Sequence, residues 1–180
     1  MKYYALCLPL VLGSLALAKA DKAGEAKKGI KAAYDQMAKD FLDKKFDGFS
    51  TLMTDDFQAT REGHKEAMSR DDVIKDFKAQ RDRLTDVKWT KTVTKFDRLG
   101  MKWKRGSYQE KHYTELVLRA WVVGRMTATM NLGDSKPHLF DLQAKSEDLW
   151  VHVIGSDWKL KSSHTSNIVV KIDGKVAPMN

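Results

Sequence analysis

Residues Asp148–Ser166, Asp-Leu-Trp-Val-His-Val-Ile-Gly-Ser-Asp-Trp-Lys-Leu-Lys-Ser-Ser-His-Thr-Ser, read as two alternating strands folded back at Gly155-Ser156. The register of that hairpin decides which side chains share a face. A two-residue turn pairs Ile154 with Asp157 and gathers Leu149, Val151, Val153, Trp158 and Leu160 into one apolar face. Asp148 then lies on the face opposite His164. A three-residue turn instead keeps Asp148, Trp150, His152, Trp158, Leu160 and His164 together. A slip of one residue inverts a strand's faces, so the two registers give different sites.

Working outward, the residues after 87 carry the same strand character. Val87–Arg98 is rich in Thr, Val and aromatics and is broken at Gly100. Tyr113–Leu132 is a long strand with a bend at Gly124, ending at Gly133-Asp134. His138–Val153 and Trp158–Val170 follow, and Asp173-Gly174 marks a last turn. The front half has helical periodicity. Ile30, Tyr34, Met37 and Phe41 form one face of a helix near 25–45, and Phe46, Phe49, Leu52 and Met53 give a shorter piece over 46–53. Phe57–Arg61 alternates as a short strand, and Ser69 with Asp72 makes a capping box for a third helix over 70–83. Val73, Ile74, Phe77 and Leu84 face inward from it. Helices first and long strands after make one α+β domain, a single sheet wrapped against helices with room for a pocket.

Residues 1–20 read as a leader rather than as part of the domain. Lys2 precedes a short apolar run, Ala5–Leu17, and Ala18-Lys19-Ala20 places small residues at a cleavage site. The run is shorter than the roughly 20 apolar residues a membrane anchor needs, and it contains Pro9 and Gly13. No transmembrane anchor is expected. A signal peptide cut after Ala20 makes residues 21–180 the mature domain, exported to a periplasmic or extracellular location. With Cys7 gone no cysteine is left, which excludes disulfides and thiolate chemistry. Loss of Lys2 and Lys19 takes the formal charge from +8 to +6. Lysines cluster at Lys22, Lys27-Lys28, Lys44-Lys45 and Lys102-Trp103-Lys104-Arg105, but acids are interspersed and no recognition module is present, so no nucleic-acid partner is expected.

The order of short motifs resembles SnoaL-like proteins of the nuclear transport factor 2-like superfamily. Asp47-Gly48, Leu52, Thr54-Asp55-Asp56-Phe57, Gly63 and Ser69-Arg70-Asp71 carry the front half of the resemblance. Ala120-Trp121-Val122-Val123-Gly124, Asp148-Leu149-Trp150, Gly155, Trp158-Lys159-Leu160 and His164-Thr165-Ser166 carry the rest. The resemblance implies a cone-shaped fold, with the helices packed in the concavity of a strongly curved, mostly antiparallel sheet around a pocket, and a homodimer through the sheet. It implies no single activity, because this fold hosts enzymes, binding proteins and assembly domains. Against ketosteroid isomerases, Arg61 stands at the catalytic Asp and Met37 at the enolate-stabilising tyrosine, with Tyr34 a turn away. A guanidinium cannot serve as the base. Against polyketide cyclases, Asp148 matches the acid/base residue, while Val122 stands at its histidine partner. The family spacing between that Asp and the following Trp is one residue longer than here. It favours the three-residue turn, and the shared face is the reading taken.

Asp148 is thus the candidate catalytic residue, able to remove a proton next to a carbonyl if burial disfavoured its charged form. Tyr34, Trp121, Trp150, Trp158 and His164 are the candidate pocket residues. His64, His112, His138, His152 and His164 lack metal-ligand spacing, so neither metal nor other cofactor is expected. Ser162, Ser163 and Ser166 lie in no nucleophile elbow. Asp55-Asp56 reads as a solvated turn before it reads as an acid pair. The function expected first is an exported accessory domain binding a small apolar or mixed-polarity molecule. A lyase- or isomerase-type enzyme using Asp148 and an oligomeric scaffold using the sheet face are the alternatives.

Overall fold

The computed structural model describes the backbone of residues 8–104, 113–134, 136–153 and 156–177, and side chains from residue 24 on apart from 98–115 and 153. Lys2 and Cys7 of the leader, Arg105, His112 and the Ile154-Gly155 half of the hairpin turn lie outside it. Helix α1 spans Leu8–Leu42, α2 Phe46–Thr51 and α3 Arg70–Asp82. Strands β1 (Met53–Arg61) and β2 (Met68–Ser69) sit among the helices. They are followed by β3 (Leu84–Lys104), β4 (Tyr113–Asn131), β5 (Pro137–Val153), β6 (Lys159–Ile172) and β7 (Lys175–Val176). The first helix therefore begins well before residue 25. No helix among the described residues is long and apolar enough to cross a membrane.

The strands form one mostly antiparallel sheet in the order β2-β1-β6-β5-β4-β3, with β7 also on β6. Only β1 and β6 run parallel. The stripe read from sequence is the face α1 buries: Ile30, Tyr34, Met37 and Phe41 are all at most 1% exposed. Phe41 packs edge-on against Phe77 of α3 and Trp89 of β3, with ring centroids 5.7 and 4.9 Å away, joining helices to sheet at one end. The capping box forms as expected: the Ser69 hydroxyl accepts from the Asp72 N–H, and the Asp72 carboxylate accepts from the Ser69 N–H.

Gly100 does not end β3. The strand runs on to Lys104, and the register with β4 slips between Arg98 and Gly100 instead, as at a bulge. At Gly124 the pairing of β4 with β5 is continuous. The β5–β6 hairpin combines both registers considered from sequence. Near the turn Trp150 faces Leu160, an even-to-even pairing. A bulge then leaves Lys161 as an extra residue, and beyond it Asp148 faces Ser163 and Glu147 faces His164. At the far end the His138 ring nitrogens lie 2.7 Å from an Asp173 carboxylate oxygen and 2.9 Å from one of Asp134, both of which are acceptors. The hydrogen bond to Asp173 comes first in holding the imidazole pKa above its ordinary value.

Trp158, 9% exposed, closes the other end against α1. A Cβ added at Gly29 would lie 2.6 Å from the indole Cδ1, so the glycine is what lets helix and ring approach. Trp158→Ala is expected to cost about 3–5 kcal/mol in denaturant unfolding. Gly29→Ala should lower stability in the wild type, because overpacking of about 1–3 kcal/mol opposes the roughly 1 kcal/mol of helix propensity gained. In the Trp158→Ala background the same change should be stabilising. A loss of stability in both backgrounds would show that the indole is not what Gly29 accommodates.

Candidate functional site

Between the helices and the concave face of the sheet lies a cavity of about 940 Å³. Its origin can be read from three rows of side chains that run across the strands. One row is Trp89, Met126, Leu142 and Val170; another is Val93, Val122, Ser146 and Thr165. Between them run Lys91, Gly124 and Ala144. The side chains of both flanking rows are larger than those at Gly124 and Ala144. The middle row carries nothing larger than a methyl beside the lysine, so a hollow opens along it. Met37, Phe49 and Phe77 roof it from the helices. Arg61, Glu62 and His64 from the end of β1, and Asp76, Gln80 and Arg83 from α3, give the rim a mixed polar character.

Among the described side chains of β3, Lys91 is the lysine that the alternation turns inward with Val87, Trp89 and Val93. Its Nζ stands 5.0 Å from the Tyr34 ring centroid and 5.5 Å from that of Trp89. Aromatic faces attract a cation but do not neutralise it. Among the described residues no carboxylate forms an ion pair with Lys91.

Asp148 is fully buried, on the same concave face but one layer behind the cavity. Tyr34 donates its hydroxyl proton to Oδ2 at 2.6 Å, and Ser163 donates to Oδ1 at 2.6 Å. Trp150 Nε1 in turn donates to the Tyr34 oxygen at 2.8 Å, with the two rings edge to face at 4.9 Å. Indole N–H can only donate, so it fixes the direction of the chain toward Asp148. Burial pushes the Tyr34 phenol far above its ordinary pKa, and the neighbouring Asp148 pushes the same way. Tyr34 therefore stays protonated and acts as a donor. Ser163 is the member of this network that reaches the cavity wall.

The residues singled out in the sequence are thus distributed differently from the expected shared face. Tyr34, Trp150 and Asp148 come together, but behind the wall. Trp158 is buried against α1 and 5.1 Å from the His152 ring rather than in the cavity lining. His164 is exposed and on the opposite face from Asp148, because the Lys161 bulge turns the strand over; its Nδ1 lies 2.8 Å from Thr60 Oγ1. Trp121 is not a pocket residue. It projects from the outer face of the sheet, under Lys95 Nζ at 4.5 Å, beside the Arg119–Glu147 ion pair. Arg61 and Val122, which stand at the catalytic positions of the resembling enzymes, do line the cavity. Asp55 and Asp56 pair with Arg70 and Lys161 on the exposed side of β1. No cluster among the described residues could hold a metal ion. Sequence reasoning missed Lys91, Gly124 and Ala144. The signal was there for Lys91, a charge at an inward place in an otherwise apolar alternation.

No protein-family model matches the chain, and no curated protein matches it in sequence. Solved structures do match. A type-2 hexachlorocyclohexane dehydrochlorinase superposes with a TM-score of 0.58 at 10% identity, over 89% of this chain and 97% of that one. A candidate dehydratase of the nuclear transport factor 2-like family from Streptomyces avermitilis gives 0.57 at 11% identity, over 79% and 97%. A Catenulispora acidiphila protein solved in complex with S-DNPA gives 0.50 at 11% identity, over 79% and 93%.

Because Tyr34 and Ser163 share one acceptor group, their contributions should be coupled. Tyr34→Phe leaves Trp150 Nε1 and one Asp148 oxygen unpartnered, a cost of about 1–3 kcal/mol. In a double-mutant cycle with Ser163→Ala, read by denaturant unfolding, the two changes should deviate from additivity by more than about 0.5 kcal/mol. Additive effects would mean that Asp148 does not join them.

Proposed function

We propose that this chain, which has the nuclear transport factor 2-like fold, is an exported domain that binds a small, largely apolar molecule between its helices and its sheet. The observation that supports this reading is the cavity of about 940 Å³, within the size range of small-molecule sites and lined mainly by apolar side chains with a few polar groups. A scaffold working through its sheet alone would need no such cavity.

Binding is favoured over catalysis because the groups that would do proton chemistry are committed elsewhere. The hydroxyls of Tyr34 and Ser163 are both spent on Asp148. Arg61 stands where the resemblance to ketosteroid isomerases puts the base, and Val122 where the resemblance to polyketide cyclases puts the histidine partner of Asp148. The second reading, proton abstraction by Asp148, draws on its place on the concave face a single hydroxyl behind the wall. It requires Ser163 to turn away and expose Oδ1.

Gly124 offers a direct test. Its φ lies in the ordinary region, and a Cβ there would meet only the Ala144 carbonyl oxygen, at 3.9 Å. Gly124→Leu should fill the hollow from the sheet side without strain. Thermal stability should hold or rise, since a mid-strand glycine is replaced and a void is filled. Binding of Nile red, an uncharged apolar dye, should be lost. Unchanged dye binding by a folded Gly124→Leu protein would rule out this cavity as the binding site.

Export and pairing of two copies through the sheet belong to the same proposal on the strength of the sequence. Native mass spectrometry of the protein recovered from the export compartment should give a mass beginning at Asp21 and a species of two chains. A retained residue 1–20 segment would remove the export part; a single chain at micromolar concentration would remove the dimer.

A further inference from the structure

We propose that the molecule bound in this cavity carries a single carboxylate on an apolar body, and that Lys91 is the group that receives it; the inference rests on the cavity reading above. A lysine in a partly buried, mostly apolar setting is costly unless its charge is met. The protein itself meets it only in part. Lys91 Nζ lies over the faces of Tyr34 and Trp89, which supply quadrupole attraction and no hydrogen-bond acceptor. The buried carboxylate of Asp148 does not answer it: Tyr34 turns its ring face to Lys91 and its hydroxyl to Asp148, whose oxygens already accept from Tyr34 and Ser163. The ammonium has three protons to place, and the cavity is where they can be placed.

The space in front of the amine matches this. Across the sheet Lys91 is followed by Gly124 and then Ala144, so nothing competes for the volume beside it. The adjoining row of Met126, Leu142 and Val170 offers an apolar bed for the rest of the molecule. The other charged lining residues do not produce the preference, since Arg61 and Arg83 are accompanied by Glu62 and Asp76, and Lys145 is exposed to solvent. The selectivity for an anion is therefore carried by Lys91.

The test compares two probes of the same body, naphthylacetate and naphthylethanol, by isothermal titration calorimetry on the full-length domain. Wild type should prefer the acid by at least about tenfold, the scale of one hydrogen bond to a charged group. Lys91→Met should abolish the preference by weakening the acid at least about tenfold, while the uncharged alcohol still binds and so reports an intact pocket. If Lys91→Met loses the alcohol as well, Lys91→Gln, which keeps a polar end of similar reach, is read in its place. Equal binding of the two probes by wild type, or a preference for the acid that survives in the variant, overturns the role of Lys91 and leaves the cavity reading standing. Binding of neither probe by wild type overturns the cavity reading and this inference with it.

Discussion

A carboxylate with no exposure to water has to be hydrogen-bonded at both oxygens, and the centre of this molecule is arranged around meeting that demand for Asp148. Its partners come from far apart in the chain. Tyr34 is delivered by α1 and Ser163 by β6, each 2.6 Å away, and Trp150 on Asp148's own strand braces the tyrosine from behind. The helix is thereby fixed at one rotation and one height on the sheet. Rotation of α1 away from this setting would expose Ile30 and Phe41 and strand the carboxylate together, so packing and polar satisfaction select the same arrangement.

The Lys161 bulge belongs to this constraint. Without the extra residue β6 would continue in the register of its Trp150–Leu160 pair and bring a different residue opposite Asp148. The bulge keeps Leu160 inward near the turn and still turns Ser163 inward beside Asp148. Its consequence is that His164 is sent to the outer face. A second slip in the same strand lies where Asn167 takes a φ of 50°. Such interruptions bend a strand as well as re-aiming its side chains, and they accompany the curvature that gives the sheet a concave face.

The hollow shows a different economy from the core around Asp148. Where Ile30, Tyr34 and Phe41 fill the space between helix and sheet, the row of Lys91, Gly124 and Ala144 leaves it empty. A glycine in a central strand and a lysine facing inward each cost stability. Features that lower stability without any evident packing reason belong at sites of function more often than elsewhere. The cavity is polarised by that single row. It has a cation at the β3 side and an apolar floor across β4, β5 and β6.

Much of the architecture was legible in the residues alone, because it rests on local periodicity. The spacing of Ile30, Tyr34, Met37 and Phe41 marked the buried face of α1, Ser69 and Asp72 marked the start of α3, and the strand character from residue 87 onward indicated the long strands. The order of helices and strands indicated one α+β domain, and the resemblance in short motifs supplied its cone shape. Those features follow from side-chain period and capping, which act within a few residues. The faces of β6 did not follow in that way. Alternation carries a face along a strand only while pairing is regular, and both hairpin registers read from Asp148–Ser166 are used on either side of one bulge. For the same reason His164, attractive by residue type, ended on the outer face, whereas Trp121 lies there by the regular alternation of β4. The partnership of Tyr34 with Asp148 links residues 114 apart in the chain. The hollow at Gly124 is made by what lies across neighbouring strands rather than along one. The sequence by itself determined which elements form and which faces are apolar; only the tertiary structure decided register, long-range hydrogen bonding and the empty volume, because those depend on how separate elements are brought against one another.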